Sequence, residues 1–361
     1  VRVLIAPDKF AGTLTAVEAA RAIADGWARQ APDDDLDLAP MADGGPGFVD
    51  VLYEALGGEL SAVTVTGPHH EQVPGAVLRR GEQAWVESAQ ACGLGLTGGE
   101  RAEDATTWGV GELVMHAIEA GATDIVVGLG GSGTNDGGAG LLGALGASAD
   151  RPLDGGAMGL DGVTEVDLGA ARAAVGGVRL TAASDVDSPL TGLFGATKTY
   201  GPQKGIPEDR LPALDGILEQ LATATDRRIA LEKGAGAAGG LGFALLLLGA
   251  SRRPGFDVVA GAIDLFGRAR AADLVLTGEG AFDFSSRSGK VPYGVATVAA
   301  EALRPCVALA GRVLVGSREM RALGIESAYS LVDLVGEERS LGDPVGSLAQ
   351  LAERVARTWS R

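Results

Sequence analysis

Four times along the chain a short apolar run ends in a turn that carries both glycine and an acid. These turns are APDKFAGTLT from Ala6, MADGGPG from Met41, LGGSGTNDGG from Leu129 and TGEGAFDFSSRSGK from Thr277. An apolar run, a tight turn and then helical periodicity form the repeating unit of a sheet whose strands run parallel. Such strands need crossover connections rather than hairpins, so the chain is predicted to be an α/β protein built on a mainly parallel sheet with helices on its faces. Ligands of open parallel sheets bind beyond the carboxyl ends of the strands, where these turns lie. The feature that sets the fold therefore also collects candidate chemistry: Asp8, Asp43, Asp136, Glu279 and Asp283.

Local signals agree with that frame. Val1 to Ile5 reads as a first strand, and Thr15 with Glu18 forms a T-x-x-E capping box for a helix with Val17, Ala20, Ile23, Ala24 and Trp27 on one face. A second helix from about Thr107 carries Val110, Leu113, Val114, Ala117 and Ile118 inward and stops at Gly121. Strands are predicted at Ile125 to Val127, Leu274 to Leu276 and Val307 to Leu309, a helix begins near Pro292, and a closing helix runs from Val345. From Gly67 to about Arg80 the alternation is short and broken by proline and glycine, as in hairpins, and from Arg151 to Gly205 every run is interrupted. The change of texture predicts two domains. Residues 1–66 and 268–361 would form a Rossmann-like parallel-sheet domain, and residues 67–267 an inserted α/β domain.

Composition narrows the partners. With 47 acidic against 30 basic residues the formal charge is −17, which argues against nucleic acid or an anionic membrane as a partner. The longest uncharged segment, Gly234 to Ala250, is too short to span a bilayer. The first residues lack the long apolar region of a signal peptide, and two cysteines cannot build a disulfide framework, so a reducing cytoplasm is the expected location. The oligomeric state is left open between monomer and homodimer.

The stretch VVGLGGSGTNDGGAG, from Val126, is the densest site. Gly128, Gly130 and Gly133 satisfy the G-x-G-x-x-G spacing of a dinucleotide turn, yet Asn135 and Asp136 fall where a pyrophosphate would sit. Gathered carboxylates need a cation, and oxygen ligands without histidine spacing point to Mg²⁺. Lys290 after Gly289 and Lys204 after YGPQ are point charges suited to phosphate. The backbone of Gly130, Gly131, Ser132 and Gly133 offers consecutive N–H groups for the same anion. No Walker loop is present. GAGAAGG from Gly234 repeats the glycine spacing and reads best as close helix packing. A lone aspartate in a turn usually caps backbone N–H groups, and an isolated lysine such as Lys204 is usually solvated.

Taken together, APDKFAGTLTA, MADGG, TTWGVGEL, GLGGSGTNDGGAG, SDVDSPL, GATKTYGPQKG, GAGAAGGLGFALL and the run from TGEGAFD to GKVPYGVA resemble the bacterial glycerate kinases of type I. The resemblance spans essentially the whole chain. It implies a two-domain α/β fold with one Rossmann-like domain, and ATP-dependent phosphorylation of D-glycerate with Mg²⁺, with 2-phosphoglycerate the favoured product. It places Gly130 to Gly133 and Lys290 on phosphates and Glu279 or Asp283 near the metal. Asp185 or Asp43 would orient or deprotonate the acceptor hydroxyl, and Asp8, Lys9, Asn135, Asp136 and Lys204 would contact substrate. The family commonly has lysine, glutamate, threonine, cysteine and glutamine where this chain has Ala11, Pro46, Phe48, Ser184 and Ser285, departures that bear on the choice of acceptor. Three other readings remain open: a kinase of another small hydroxy acid, a catalytically silent binding protein, and an NAD-linked oxidoreductase using Asp150 or Asp154 for the ribose.

Overall fold

A computed structural model describes residues 1–10, 12–283 and 291–360. The strands in chain order are β1 (Arg2–Ile5), β2 (Asp35–Leu38), β3 (Glu59–Thr66), β4 (Gln72–Arg80), β5 (Gln83–Glu87), β6 (Asp124–Gly128) and β7 (Ser148–Ala149). They continue with β8 (Val166–Asp167), β9 (Arg179–Ala183), β10 (Ser251–Arg253), β11 (Leu274–Phe282), β12 (Cys306–Val313) and β13 (Ser327–Ser330). The chain divides into two compact units. The first holds Val1–Asp43, Asp50–Leu56 and Phe256–Arg361, and the second holds Gly44–Val49 and Gly57–Gly255.

The first unit is built on a five-stranded sheet in the order β13-β12-β11-β1-β2, parallel throughout. Because β1 pairs with β2 on one side and with β11 on the other, the chain direction of the winding reverses between β1 and β11. This is the switch point at which doubly wound sheets open a crevice. Val3, Ile5, Leu276, Val307 and Leu309 bury one face against Ile23, Trp27, Leu348 and Val355. Helix Ala16–Gln30 starts with the predicted capping box: Thr15 Oγ1 accepts from the Glu18 N–H at 3.2 Å and the Thr15 N–H donates to Glu18 Oε2 at 2.9 Å. Glycine at position 26 admits the closing helix Pro344–Trp359, since a Cβ there would overlap the Ala349 carbonyl oxygen.

The second unit carries a mixed sheet in the order β10-β9-β6-β5-β4-β3. Strands β5, β6, β9 and β10 are parallel, while β3, β4 and β5 form the hairpins that the broken alternation after Gly67 announced. Helix Trp108–Glu119 buries Val110, Leu113, Val114 and Ala117. The boundary drawn from sequence at residue 66 would give β3 to the first domain. Its ladder with β4, from Glu59↔Arg79 to Thr66↔Gln72, ties it to the second sheet instead. The boundary at 267 moves as well, because Phe256 onward belongs to the first unit.

Residues 44–49 join the second unit for a visible reason. A Cβ on Gly44 would lie 2.7 Å from the Ala183 carbonyl oxygen, and the buried Glu87 carboxylate accepts from the N–H groups of Gly47 and Val49 at 3.1 and 3.3 Å. Gly234 to Ala250 contains the largely buried segment Ala237–Leu247, which is kinked at Ala238, Gly239 and Gly240, where φ is positive, and helical beyond them. Among the described residues no helix is long and apolar enough to cross a membrane.

Candidate active site

In the second unit the chain leaves β6 at Gly128 and runs through Leu129 to Gly138 before helix Ala139–Ala144 begins. The backbone N–H groups of Gly130, Gly131 and Ser132 make no backbone hydrogen bond among the described residues. They border a cleft of about 260 Å³ whose polar lining is Ser132, Tyr200, Gln203 and Lys204. Lys204 is only 2% exposed, and its Nζ donates to Ser132 Oγ at 2.9 Å and to the Thr134 carbonyl oxygen at 2.7 Å. Both acceptors are neutral. Burial pushes the Lys204 pKa down to about 8, because a charged ammonium without a carboxylate partner is costly in a dry setting. The side chain is delivered inward by the short turn Pro202–Lys204, which closes at Gly205 with φ +82. A Cβ at 205 would overlap the Gly99 carbonyl oxygen. A buried cation beside three open N–H groups has the chemistry to receive an anion.

Three residues assigned to ligand from sequence are used inside the protein. The Gly133 N–H donates to the Cys92 carbonyl oxygen at 2.8 Å, so Gly133 is not part of the open cradle. Asn135 is fully buried and its Nδ2 donates to Thr197 Oγ1 at 3.0 Å. Asp136, expected to meet metal or substrate, is also fully buried. Its Oδ2 accepts from the Thr107 N–H, Thr107 Oγ1 and the Gly140 N–H at 2.8, 2.7 and 3.1 Å, and its Oδ1 accepts from the Gly138 N–H at 2.9 Å. Burial raises its pKa, opposed by those same bonds from Thr107, Gly138 and Gly140. The acid therefore pins the loop to the start of helix Trp108–Glu119. The loop also packs on GAGAAGG, where a Cβ on Gly239 would overlap the Thr134 carbonyl oxygen. That glycine run serves close packing, as read from sequence.

Asp136→Asn tests this correction. Thr107 Oγ1 accepts from the Leu141 N–H at 3.1 Å and gives its own proton to Asp136, since a carboxylate only accepts. All four groups around the carboxylate are donors, and an amide would turn its NH₂ toward at least one of them. The expected cost is about 3 kcal/mol of unfolding free energy, read from a denaturant titration, and a change below about 0.5 kcal/mol would contradict the assignment.

The first unit places a second group at its switch point. Asp8 follows β1, and its N–H donates to the Gly278 carbonyl oxygen of β11 at 2.8 Å. Lys9 Nζ lies 3.6 Å from Asp8 Oδ1 and 3.7 Å from Asp43 Oδ1. Asp8 is 7% exposed. Burial and the nearby Asp43 charge raise its pKa to about 6, against the pull of Lys9. Burial alone would lower the Lys9 pKa, but the charges of Asp43 and Asp8 outweigh it and leave the pKa raised. Glu279 is buried on β11 and Asp283 follows that strand. Asp185 is partly buried after β9, next to Val186 of the cleft wall.

Asp136 is internal, Asp8 and Asp43 share a lysine, and among the described residues no three acidic, histidine or cysteine side chains stand together as a metal site. Lys290, Ser285 and Ala11 lie outside the described residues. Of the other departures, Phe48 is fully buried, Pro46 abuts Gly131, and Ser184 Oγ accepts from the Val186 N–H at 3.2 Å. Glu87 and Thr107 were not singled out from sequence; a glutamate ending an apolar strand and a threonine opening a helix were their only signals.

The dinucleotide reading lacks its structural context. The Gly128, Gly130, Gly133 turn does not open a helix, which starts only at Ala139, and Asp150 accepts from Thr164 Oγ1 at 2.6 Å rather than ending a parallel strand. The fold is that of an α/β protein with an acid group at the switch point of one unit and a buried lysine beside open backbone N–H groups in the other, chemistry compatible with phosphoryl transfer. The model of the glycerate kinase family matches residues 3–360. The chain is 37% identical to the glycerate kinase of Bacillus subtilis, over 99% of this chain and 96% of that protein, and 36% identical to the glycerate 2-kinase of Escherichia coli K12, over 93% and 92%. A solved structure assigned as a glycerate kinase 2 from Salmonella typhimurium LT2 superposes with a TM-score of 0.82 at 35% identity, covering 99% of this chain and 98% of the other. The chain belongs to the glycerate kinase family, and it is a kinase.

Proposed function

We propose that the chain transfers the γ-phosphoryl group of ATP to the 2-hydroxyl of D-glycerate, with Mg²⁺ entering as part of the nucleotide substrate. The carrying observation is Lys204, a buried ammonium held only by neutral oxygens beside the open N–H groups of Gly130, Gly131 and Ser132. Such a group has a use for a carboxylate or a phosphate, and glycerate and ATP supply one each. The acceptor is supported by the relatives from Bacillus subtilis and Escherichia coli, a glycerate kinase and a glycerate 2-kinase.

In the first unit Asp8 is the proposed general base. A pKa of about 6 leaves it ionised at neutral pH and still basic enough to take the hydroxyl proton as the oxygen attacks phosphorus and ADP departs. Lys9 and Asp43 hold it in place. Glu279 and Asp283 are the proposed carboxylates beside Mg²⁺, a cation that needs only one or two protein ligands when phosphate and water complete its shell. Asp185 and Lys290 are kept as contacts to the acceptor and to phosphate.

ADP release is expected to require D-glycerate and a divalent cation together, with 2-phosphoglycerate identified by phosphorus NMR. Equal ADP release without glycerate, or full turnover in excess chelator, would refute the proposal. The Asp8 assignment adds a pH dependence. Since the carboxylate must be ionised, kcat/KM should fall about tenfold per pH unit below about 6, and a flat profile down to pH 5 would exclude Asp8 as the base.

A further inference from the structure

A second cleft, of about 250 Å³, lies within the first unit beyond the carboxyl ends of β11 and β12. Its floor is unusually bare. The ladder between these strands pairs Glu279 with Ala310 and Ala281 with Arg312 but skips Gly280 and Gly311. A Cβ on Gly311 would overlap the Gly280 carbonyl oxygen, so no side chain can replace that opening. Phe10, from the turn after β1, and Leu331, Val332 and Leu341 make the walls predominantly apolar.

The charge of the cleft differs from that of the Lys204 cradle. Arg312 is the one cation of the described lining, and it is already paired with Glu337. Among the described lining residues no uncompensated positive charge is left for phosphate. Two hydroxyls remain, and both have spent their protons: Thr13 Oγ1 donates to the Phe10 carbonyl oxygen at 2.9 Å, and Ser340 Oγ donates to the Glu337 carbonyl oxygen at 2.8 Å. What they keep is acceptor capacity. An apolar, neutral slot with a backbone floor and spare acceptors suits a flat heterocycle that carries an amino group. Its volume falls just below the ~300 Å³ at which pockets for whole drug-sized ligands begin, so it matches a ring system rather than an entire nucleotide.

We propose that this cleft seats the adenine ring of the phosphoryl donor, an assignment that rests on the ATP-dependent reading above. Phe10 and Val332 supply apolar contact to the ring, the glycine floor allows it to approach the backbone, and the Thr13 and Ser340 oxygens accept from its amino group. The position beside the β1 and β11 switch point is where doubly wound sheets take such ligands.

Calorimetric titration of the full chain with ADP, adenosine, tripolyphosphate and D-glycerate tests the assignment. Ala281→Trp fills the cleft from an exposed strand position and is expected to weaken ADP and adenosine by about tenfold or more, leaving tripolyphosphate and D-glycerate unchanged. Leu341→Trp, 60% exposed on another wall, should do the same and gives the answer if the first variant does not fold. Wild-type adenosine affinity in a folded variant would overturn the adenine cleft, as would equal weakening of tripolyphosphate. A wild-type chain that binds no ADP would instead overturn the ATP reading itself, so the two failures are distinct.

Discussion

Asp8→Asn should cut glycerate-dependent turnover by about 10² to 10⁴-fold, the contribution of a positioned general base, and should at the same time make the protein more stable. The two effects have one cause. Asp8 is buried and its pKa rises from 3.8 to about 6, so folding at neutral pH forces a carboxylate to stay charged where it would rather bind a proton. Because the folded pKa lies above the unfolded one, the native state binds more protons between roughly pH 4 and 6 and loses stability as pH rises through that window. The strain amounts to roughly 1–3 kcal/mol at pH 7. Asparagine removes the titration and keeps an oxygen for the Lys9 N–H, which donates to Asp8 Oδ1 at 2.8 Å. The gain should therefore be present at pH 7 and vanish near pH 4, in denaturant titrations at both values. Lys9 retains Asp43 as a partner. A variant that turns over at the wild-type rate would make Asp8 structural, and one that is less stable at pH 7 than at pH 4 relative to wild type would reverse the sign of the burial argument.

Features set by near neighbours in the chain are legible in the sequence. The Thr15 and Glu18 capping box, the inner stripe of helix Trp108–Glu119, the strand after it and the hairpins past Gly67 all depend on residues within a turn or a strand length. Three of the glycine and acid turns follow β1, β2 and β6, while the fourth begins inside β11, which runs on to Phe282 and takes Glu279 into the strand.

What sequence could not give was the fate of each polar side chain inside those turns. Asp136 looks the same in sequence whether a metal or four backbone and hydroxyl donors surround it; the deciding partner, Thr107, is 29 residues away. In sequence Lys204 is either a point charge for phosphate or, as isolated lysines usually are, solvated. It is buried by Ser132 and the Thr134 carbonyl, 72 and 70 positions upstream. The segment 44–49 left its parent unit for a similar reason, a carboxylate at Glu87 that only the tertiary fold brings to its N–H groups. In each case the partner that fixes the residue's role is a long-range hydrogen bond that local pattern does not contain.

Lys204→Met should remove the anion site while leaving the fold. Methionine fills a similar volume without charge, and two stability effects oppose each other. Relief from a buried ammonium whose pKa is held at about 8 favours the variant, and loss of the bonds to Ser132 Oγ and the Thr134 carbonyl oxygen works against it. The net change is expected within about 1 kcal/mol. Activity has no such compensation, because a preorganised cation in a dry cleft acts on charge with little screening. A loss of about 10² to 10³ in kcat/KM is expected, together with loss of whichever ligand, D-glycerate or tripolyphosphate, the cradle holds. The wild-type chain carries an internal control. A lysine whose folded pKa lies below its unfolded value gives up its proton as pH rises through about 8, so anion affinity should weaken above pH 8, about tenfold per unit, and that dependence should be absent in the variant. Calorimetry between pH 7 and 9.5 reads both. If both ligands bind to Lys204→Met as to wild type, the buried ammonium is a structural cross-link between the glycine loop and the turn at Pro202, and the cradle has no anion to hold.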